Sequence, residues 1–517
     1  MIRHQLTKSW VNVAIAAAAL AAIVVSLVRL MGPTTDLVIE HAAVGTTPVT
    51  IYRSADPAPA PTVIIAHGFA GSRPLMEPFA IALANNGYVA ITFDFQGHGR
   101  NPVPLAGNIT KETGATRLLV AELGAVADFA RDLEGSDGRL AVLGHSMASD
   151  IVVRFAQSTP EVEATVAVSM FSPAVTASEP ANLLVIVGGW ERRLKEEALT
   201  AVGMVADQPR EGVTYGDVAD GSARRAVFAD GVEHVGVLYS TESLREAVTW
   251  LDLVFDRAGY GAVDGRGPWI VLLLLGVIVL ARPLARLLPP VTSEPRGSPL
   301  PRRTLVWIAL VPPVLTPLIL WPIEIRFLPM LVGDYLSVHF GLYGVLTAAG
   351  MWLAGRGRSG AEARPRSTRP LSIARFVLCA AAVGLYSVVA LGLPIDRFVT
   401  SVFPIPERWA LVGAMLMGTL CYFLADEWLT RGRNAPWGFY ALTKVLFALS
   451  LALAVALDLE QLFFLIIITP MIIAFLVVYG LFSTWAYRAT GHPAVGGMAN
   501  ALAFAIVIGA VFPVLTG

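Results

Sequence analysis

A serine in a predicted sharp turn between a strand and a helix is the feature of this sequence with the clearest chemistry. Ser146 stands in Leu140-Ala-Val-Leu-Gly-His-Ser-Met-Ala-Ser149, where an apolar run ends at Gly144-His145 and a helical pattern follows. A small residue at 144 lets the chain turn sharply, so the hydroxyl is exposed at the tip and the helix start favours negative charge. The pattern G-x-S-x-A departs from the usual G-x-S-x-G, and Ala148 is expected to be tolerated. The alternative is a helix N-cap serine without a chemical role.

Two further motifs precede this serine, each at the end of a predicted strand. They are His67-Gly68-Phe69 and Asp94-Phe95-Gln96-Gly97-His98-Gly99-Arg100-Asn101. Together with Gly144-His145-Ser146, and in this order, they resemble the α/β-hydrolase family, most closely its monoacylglycerol-lipase and serine-aminopeptidase branch. The resemblance covers about residues 37–257. It implies a serine hydrolase that cleaves an ester, or an amide, through an acyl-enzyme.

The resemblance also assigns roles to five residues. Ser146 would be the nucleophile, and the backbone N–H groups of Phe69 and Met147 would form the oxyanion hole. His234, the only histidine between Ser146 and the later apolar segments, would be the base. Glu191, in the turn Gly188-Gly-Trp-Glu191, would be the acid that orients the imidazole of His234.

The base and the acid each leave an alternative open. His234 could be a polar residue of a surface loop, and Glu191 could be a helix glutamate facing water. Asp207 and Asp230 are weaker candidates for the acid, and Asp230 is expected to shape the turn before His234. The remaining histidines of the motifs are expected to hold loops by hydrogen bonds: His67, His98 and His145. The sequence shows no metal-ligand cluster, phosphate loop or dinucleotide fingerprint, so we expect no cofactor and no metal.

Alternating strands and helices are predicted to position these residues. The predicted strands are Leu37–Val44, Pro48–Ser54, Thr62–Gly68, Val89–Asp94, Leu140–His145, Thr165–Met170, Asn182–Gly189 and Arg224–Asp230. The predicted helices are Pro74–Asn86, Ala115–Leu133, Met147–Gln157, Glu191–Val205 and Ser240–Ala258. A hairpin at Gly45 followed by strand–helix alternation predicts an α/β fold with a doubly wound sheet. Only about a dozen residues separate Met170 from Asn182, where many relatives carry a cap, so we expect a minimal lid.

The chain as a whole is strongly apolar. Of 517 residues, 55% are hydrophobic and 15% charged, and the mean hydropathy is +0.63. These values exclude a disordered chain, a disulfide scaffold and a basic nucleic-acid binder. Trp10–Leu30 is long enough to cross a bilayer, and we favour an uncleaved anchor over a signal peptide. Eight further apolar cores follow, at 268–289, 304–322, 328–354, 375–395, 409–428, 436–457, 461–484 and 494–514.

These segments predict three parts. Residues 1–35 form a cytoplasmic N-terminus and a transmembrane anchor, residues 36–258 form the α/β-hydrolase domain, and residues 259–517 form an all-α membrane domain of about eight transmembrane helices. The formal net charge of −1 is the balance of −12 over residues 36–258 and +11 over the remainder.

The positive charge is concentrated in alternate loops of the membrane part. These loops carry Arg282, Arg286, Arg296, Arg302 and Arg303; Arg356, Arg358, Arg364, Arg366 and Arg369; Arg431 and Arg433; and Arg488. Loops rich in arginine face the cytoplasm. We therefore predict a multi-pass protein of the plasma (inner) membrane whose hydrolase domain lies outside the cytoplasm.

The sequence thus predicts a membrane-tethered serine hydrolase that cleaves or transfers acyl groups. Its expected partners are the lipid bilayer and an acyl-ester or lipid substrate, with no nucleic acid, and the sequence leaves the oligomeric state open. The rival interpretation is a catalytically silent hydrolase-fold sensor or scaffold attached to a transporter-like bundle. Ionisable residues inside the spans are functional suspects for such a bundle. They are Asp334, His339, Asp426, Glu427 and Lys444.

Overall fold

A nine-stranded mixed sheet forms the centre of the part of the chain between the first two long apolar helices. The computed structural model describes residues 2–55, 58–107, 112–259, 261, 263–356, 371–432 and 434–516. The strands are β1 Leu37–Val44, β2 Thr47–Ser54, β3 Ala60–Ala66, β4 Val89–Phe93, β5 Ser136–His145, β6 Val162–Val168, β7 Leu183–Gly188, β8 Thr214–Tyr215 and β9 Arg224–Ala229. They lie in the order β1-β2-β4-β3-β5-β6-β7-β9-β8.

The sheet begins with the predicted hairpin and continues with parallel strands. β1 pairs antiparallel with β2, and Gly45 in the turn between them has a positive φ of 60°. β4, β3, β5, β6, β7 and β9 are parallel neighbours. Their Val, Ile, Leu and Ala side chains are almost all buried, as expected of parallel strands covered on both faces.

Helices cover both faces of this sheet. The first helix of the chain, α1 Ile2–Met31, precedes it, and the covering helices are α2 Arg73–Asn85, α3 Arg117–Arg131, α4 Met147–Ser158, α5 Arg192–Gly203 and α6 Thr241–Val254. α2 and α6 bury their apolar sides on one face. α3, α4 and α5 pack on the other. The prediction of a doubly wound α/β-hydrolase fold is confirmed.

Two details of the sheet differ from the predicted elements. The two-residue strand β8 was missed, because Thr214–Tyr215 is too short to show a period in the sequence. β5 begins at Ser136, earlier than predicted, because Ser136 pairs with Ala60 across the polar stretch that precedes the apolar run.

The C-terminal part is helical. Its helices are α7 Gly267–Ala285, α8 Arg302–Leu310, α9 Pro312–Leu320, α10 Gly333–Arg356, α11 Ile373–Leu385, α12 Gly392–Phe398, α13 Trp409–Thr430, α14 Phe439–Leu457, α15 Leu459–Thr490 and α16 Pro493–Val511. Short 3-10 or π turns occupy Gly32–Thr34, Glu112–Thr116, Gly236–Tyr239, Tyr386–Ala390 and Pro406–Arg408. In the part of the chain that is described, nine helical segments are long and apolar enough to cross a membrane, and each coincides with a predicted span.

Small residues allow the central helices of this bundle to approach closely. A Cβ at Gly344 of α10 would clash with the backbone of Cys421 in α13, and a Cβ at Gly509 of α16 would crowd Val412. α16 is the most deeply buried of the spans. α1 packs on α7, where Gly276 leaves room for Ile23. Close backbone approach at small residues is a common basis of helix association in membranes.

The described arginines in or after the last turns of α7, α13 and α15 lie at the end of the bundle away from the sheet. α7 starts beside the sheet domain, where Arg266 contacts Glu77 of α2, and therefore ends at the far side. The loop after α7 is bound there to the last turns of α13 and α15, through hydrogen bonds of Ser298 to Arg431 O and of Val291 to Thr490 O. Of the arginines used in the topology prediction, Arg358, Arg364, Arg366, Arg369 and Arg433 lie outside the described residues.

Of the ionisable side chains named for the spans, Asp426, Glu427 and Lys444 are ion-paired. Lys444 of α14 contacts Asp426 of α13. Glu427 accepts hydrogen bonds from Arg431 Nε at 2.9 Å and from the Tyr440 hydroxyl at 2.7 Å. Opposite charges a few ångströms apart offset part of the cost of burying each charge, so these side chains have structural partners within the bundle.

Candidate active site

Ser146 lies at a strained turn between β5 and α4. Its φ and ψ are 55° and −119°, a conformation that L residues rarely adopt. A Cβ at Gly144 would clash with the carbonyl oxygen of Ala148 and with Val152, which explains the glycine two residues before the serine. Ala148 itself is fully buried against the sheet and fits where the usual motif has glycine. The turn therefore has the geometry expected of a nucleophile elbow.

The structure brings Ser146, His234 and Glu191 into one hydrogen-bonded series. The Ser146 hydroxyl lies 2.8 Å from His234 Nε2 and can donate to it. The Nδ1–H of His234 donates to Glu191 Oε1 over 2.5 Å. This tautomer leaves Nε2 free to accept the serine proton, as a general base must. Asp207 and Asp230, the weaker candidates for the acid, are exposed.

Hydrogen bonds to the second carboxylate oxygen of Glu191 hold this side chain beyond the end of β7. Oε2 accepts hydrogen bonds from Ser169 Oγ at 2.6 Å and from Gly188 N at 2.8 Å. Burial alone would raise the pKa of Glu191, but the hydrogen bonds from His234 and Ser169 outweigh it and the pKa lies below its ordinary value. Glu191 is therefore ionised at neutral pH and faces His234, so it is not a helix glutamate directed to water.

Ser169 is a site residue that the sequence analysis did not find. It follows β6, is buried, and has a positive φ of 51°, which aims its hydroxyl at Glu191. The strand end at Met170 was predicted, but a single serine at a strand end has no distinguishing sequence pattern.

His145 supports the loop that carries His234. Its Nε2–H donates to the carbonyl oxygen of His234 at 2.9 Å, and the two rings lie 4.9 Å apart. Burial, together with the nearby His234, lowers the pKa of His145 to about 3. His145 is therefore neutral at physiological pH and adds no positive charge beside the imidazole of His234.

The two residues assigned to the oxyanion hole are Met147, which directly follows Ser146, and Phe69, whose neighbour Gly68 lies against Ser146. Met147 is the first residue of α4, and Phe69 follows β3 in the His67-Gly68-Phe69 turn. Among the described residues, neither N–H has a hydrogen-bond partner. A Cβ at Gly68 would lie 2.9 Å from the Cβ of Ser146, so only glycine lets this turn approach the serine.

His67 and His98 fix the turns around residues 67–70, called here the oxyanion segment. His67 Nδ1–H donates to Gly68 O at 2.8 Å, and its Nε2 accepts from Phe95 N–H at 3.1 Å. His98 Nδ1–H donates to Gln96 O at 2.9 Å. Burial lowers the pKa of both histidines, that of His98 to about 3, so both are neutral side chains that shape loops.

Asp94 organises the second motif. Its carboxylate accepts hydrogen bonds from the backbone N–H of Arg73 at 2.7 Å and of Arg100 at 3.0 Å. Gly99 has a positive φ of 51° and lies against this carboxylate, where a side chain would not fit. The motif is therefore a structural turn beside the oxyanion segment. Among the described residues, no group of three His, Cys, Asp or Glu side chains is placed to hold a metal ion.

The end of the sheet that carries these residues, called here the catalytic edge, contacts the C-terminal helices. The Phe69 ring packs on Phe464 of α15, with 4.6 Å between ring centroids. Ser72 Oγ lies 2.8 Å from Thr400 Oγ1 after α12. The Arg408 guanidinium donates to Gly97 O at 2.8 Å. The sequence analysis did not predict these contacts.

Comparison with known proteins agrees with the fold. Residues 57–208 match the family model of serine aminopeptidases, S33. No curated protein matches the chain. Together with the sheet topology, the family match supports an α/β hydrolase, and the resemblance found in the sequence is confirmed.

Solved structures similar to this chain include three hydrolases. An epoxide hydrolase from Vigna radiata is 21% identical, with a TM-score of 0.22; the match covers 27% of this chain and 40% of that enzyme. A dienelactone hydrolase from Anabaena variabilis is 18% identical, with a TM-score of 0.32 and coverages of 42% and 96%. An esterase from Pyrobaculum calidifontis is 16% identical, with a TM-score of 0.31 and coverages of 47% and 93%. The chain thus spans about two fifths of the length of the epoxide hydrolase.

Proposed function

We propose that this protein is a membrane-tethered serine hydrolase that cleaves, or transfers, the acyl group of an ester or lipid-like substrate. The observation that carries the proposal is the series of hydrogen bonds from Ser146 through His234 to Glu191. A buried and ionised acid, an imidazole and a half-buried serine in this order form the arrangement that activates a hydroxyl nucleophile.

The proposed reaction proceeds in two halves. His234 Nε2 takes the proton of Ser146 as Oγ bonds to the acyl carbon, and the electron pair of the C=O bond moves to the oxygen. The N–H groups of Phe69 and Met147 hold that oxyanion. The tetrahedral intermediate then expels the leaving group, which receives the proton from His234, and the acyl-enzyme remains.

The second half releases the acyl group. His234 takes a proton from water, or from another acceptor, whose oxygen attacks the acyl carbon. Ser146 then leaves as the restored hydroxyl, with the proton returned by His234. Glu191 stabilises the imidazolium that forms in each half and keeps Nε2 directed at the reacting atoms.

The proposed location is the plasma (inner) membrane, with the hydrolase domain outside the cytoplasm. It is supported by nine helices of sufficient length and apolarity in the described part of the chain, and by arginines concentrated at the bundle end away from the sheet. The contact of the catalytic edge with the membrane helices favours substrates that reside in the bilayer or at its surface.

The test is labelling of membranes that contain the full-length protein with a fluorescent fluorophosphonate. We expect labelling of the wild type and none of Ser146→Ala. Ser149→Ala is the matched control: Ser149 is three residues further, and its hydroxyl donates to Ser146 O and does not touch the imidazole. It should label at a rate within a few-fold of wild type.

Two results would contradict the proposal. Equal labelling of wild type and Ser146→Ala would assign the reaction to another residue. The absence of labelling and of ester hydrolysis in a correctly folded wild type would support the catalytically silent sensor or scaffold instead.

A further inference from the structure

The connection from β6 to β7, where a cap would be inserted, is fixed along the side of the domain. It runs over residues 169–182 and contains no helix. Ser172 Oγ donates to Asp150 at 2.6 Å, and Gln157 donates to Ala174 O at 2.6 Å. Both partners belong to α4, so this connection lies along α4 and leaves the oxyanion segment to another part of the chain.

The oxyanion segment is instead covered by the membrane helices. Phe69 and Ala70 pack against the apolar core of the bundle. The Phe69 ring lies 4.6 Å from the Phe464 ring at an interplanar angle of 31°. Phe464 is in the second turn of α15, at the end of that helix nearest the sheet. An apolar side chain of α15 therefore lies directly beside Phe69, the residue whose N–H is assigned to the oxyanion hole.

Further hydrogen bonds hold this contact in place. Arg408 is buried, with 2% of its surface exposed. It donates to Gly97 O in the sheet domain at 2.8 Å, to Ala510 O in the last turn of α16 at 2.9 Å and to Phe512 O just after α16 at 2.7 Å. The segment that follows α16 adds a bond from Val514 N to Gly97 O at 2.9 Å. The loop beside the oxyanion segment and the end of the bundle thus form one hydrogen-bonded unit.

We propose that the first turns of α15 serve as the cap of the acyl-binding site and that Phe464 determines the preferred acyl chain length. The inference rests on the proposed function. An acyl group whose carbonyl oxygen lies at Phe69 N–H and whose carbon faces Ser146 Oγ begins its chain beside the Phe69–Phe464 pair. The substrate class is therefore an ester of a medium or long aliphatic acid, supplied from the bilayer in which α15 lies.

The experiment measures kcat/KM of the full-length protein in nanodiscs on 4-nitrophenyl acetate, butyrate and octanoate. Each buried methylene contributes about fourfold, so wild type should prefer octanoate. Phe464→Ala should lower kcat/KM on octanoate about tenfold and leave that on acetate within about twofold. Phe464→Leu should restore most of the octanoate rate, because a branched apolar side chain still covers the site.

Ile466→Ala is the matched control. Ile466 lies two residues after Phe464 on the same helix and is 49% exposed on the outside of the bundle. Its replacement should leave the ratio of octanoate to acetate unchanged. If Phe464→Ala does not fold, Phe464→Trp replaces it, and the larger ring should shift the preference from octanoate toward butyrate.

The possible results distinguish a failure of the cap inference from a failure of the proposed function. An equal loss on acetate and octanoate in Phe464→Ala would mean that Phe464 only positions the oxyanion segment, and would overturn the inference. An unchanged ratio in Phe464→Ala or Phe464→Trp would also overturn it. A wild type that neither hydrolyses any of the three esters nor reacts with a fluorophosphonate would instead contradict the proposed function.

Discussion

At the scale of single residues, the environment of Glu191 shows how a buried carboxylate is kept ionised. Burial raises the pKa of a carboxyl group, whereas hydrogen bonds donated to the carboxylate lower it. Glu191 accepts such bonds from His234, Ser169 and Gly188, and its side chain is only 8% exposed. The lowered pKa means that a negative charge is present opposite Nδ1 at neutral pH.

Replacement of this carboxylate should impair catalysis more than folding. Glu191→Gln is expected to lower kcat for ester hydrolysis by roughly 10²–10⁴-fold, because an amide can donate to Nδ1 and favour the wrong imidazole tautomer. The measurement is steady-state hydrolysis together with the rate of fluorophosphonate labelling. The control is Asp230→Asn, an exposed carboxylate near His234 that should leave both rates unchanged. Equal loss in the two variants would remove Glu191 from its proposed role.

Wild type and Glu191→Gln should also differ in how their thermal stability depends on pH. A carboxyl group whose pKa is lower in the folded protein stabilises the fold above its ordinary pKa, here 4.5, and loses that contribution as pH falls through the lower folded value. Wild type should therefore exceed Glu191→Gln in thermal stability at pH 6–7, and the difference should shrink below about pH 4.5. A difference that grows on acidification would contradict a lowered pKa.

At the scale of elements, the turn between β5 and α4 positions the nucleophile by backbone strain. Ser146 has a positive φ, and the carbonyl oxygen of Ala148 occupies the space next to Gly144. The surrounding contacts hold this conformation because α4 is buried against the sheet through Ile151, Val152 and Phe155. The chemistry of the serine therefore depends on how closely a helix and a strand can pack.

A methyl group at Gly144 should disturb that packing. Gly144→Ala is expected to destabilise the domain by about 3 kcal/mol, as overpacking in a rigid core does, and to reduce fluorophosphonate labelling at least tenfold. Thermal unfolding of the purified protein and labelling below the unfolding temperature measure the two effects. Ala148→Gly removes a buried methyl but keeps the backbone carbonyl that contacts Gly144, so it should cost about 1 kcal/mol and retain labelling. Equal behaviour of the two variants would show that the close contact does not constrain the turn.

At the scale of the whole molecule, charge is segregated along the axis of the bundle. The sheet domain is attached at one end, through Arg266–Glu77 and the catalytic edge, and the arginine-rich loops lie at the other. Because arginine-rich loops remain in the cytoplasm, this arrangement predicts that the catalytic edge approaches the outer surface of the membrane.

Accessibility of single cysteines tests this orientation. Both native cysteines are free and lie in the apolar helices α11 and α13, so Cys379→Ala and Cys421→Ala give a cysteine-free background. On intact cells, a membrane-impermeant maleimide should label Glu196→Cys, an exposed position of α5. It should label Arg302→Cys, at the start of α8, only after the membrane is permeabilised. The reverse pattern would place the hydrolase domain in the cytoplasm.

The local parts of the fold and of the site were predictable because they depend on neighbouring residues. Buried parallel strands appear as continuous apolar runs, and a nucleophile turn needs a small residue at a fixed spacing from its serine. Ser169 and β8 were missed, because neither leaves a periodic or spaced pattern. The acid could only be ranked, because Glu191 and Asp230 each follow a strand and Asp207 lies in the connection between those two strands.

The sequence by itself determined the α/β sheet, the position of Ser146 in its turn and the nine apolar segments, since each follows from short-range pattern or from length. Only the tertiary structure decided that Glu191 faces His234, and that Phe464 and Arg408 lie against the oxyanion loops. Those pairs are distant in sequence. Their contacts form when separate elements pack together, and the local sequence does not predict which distant side chain each of them will contact.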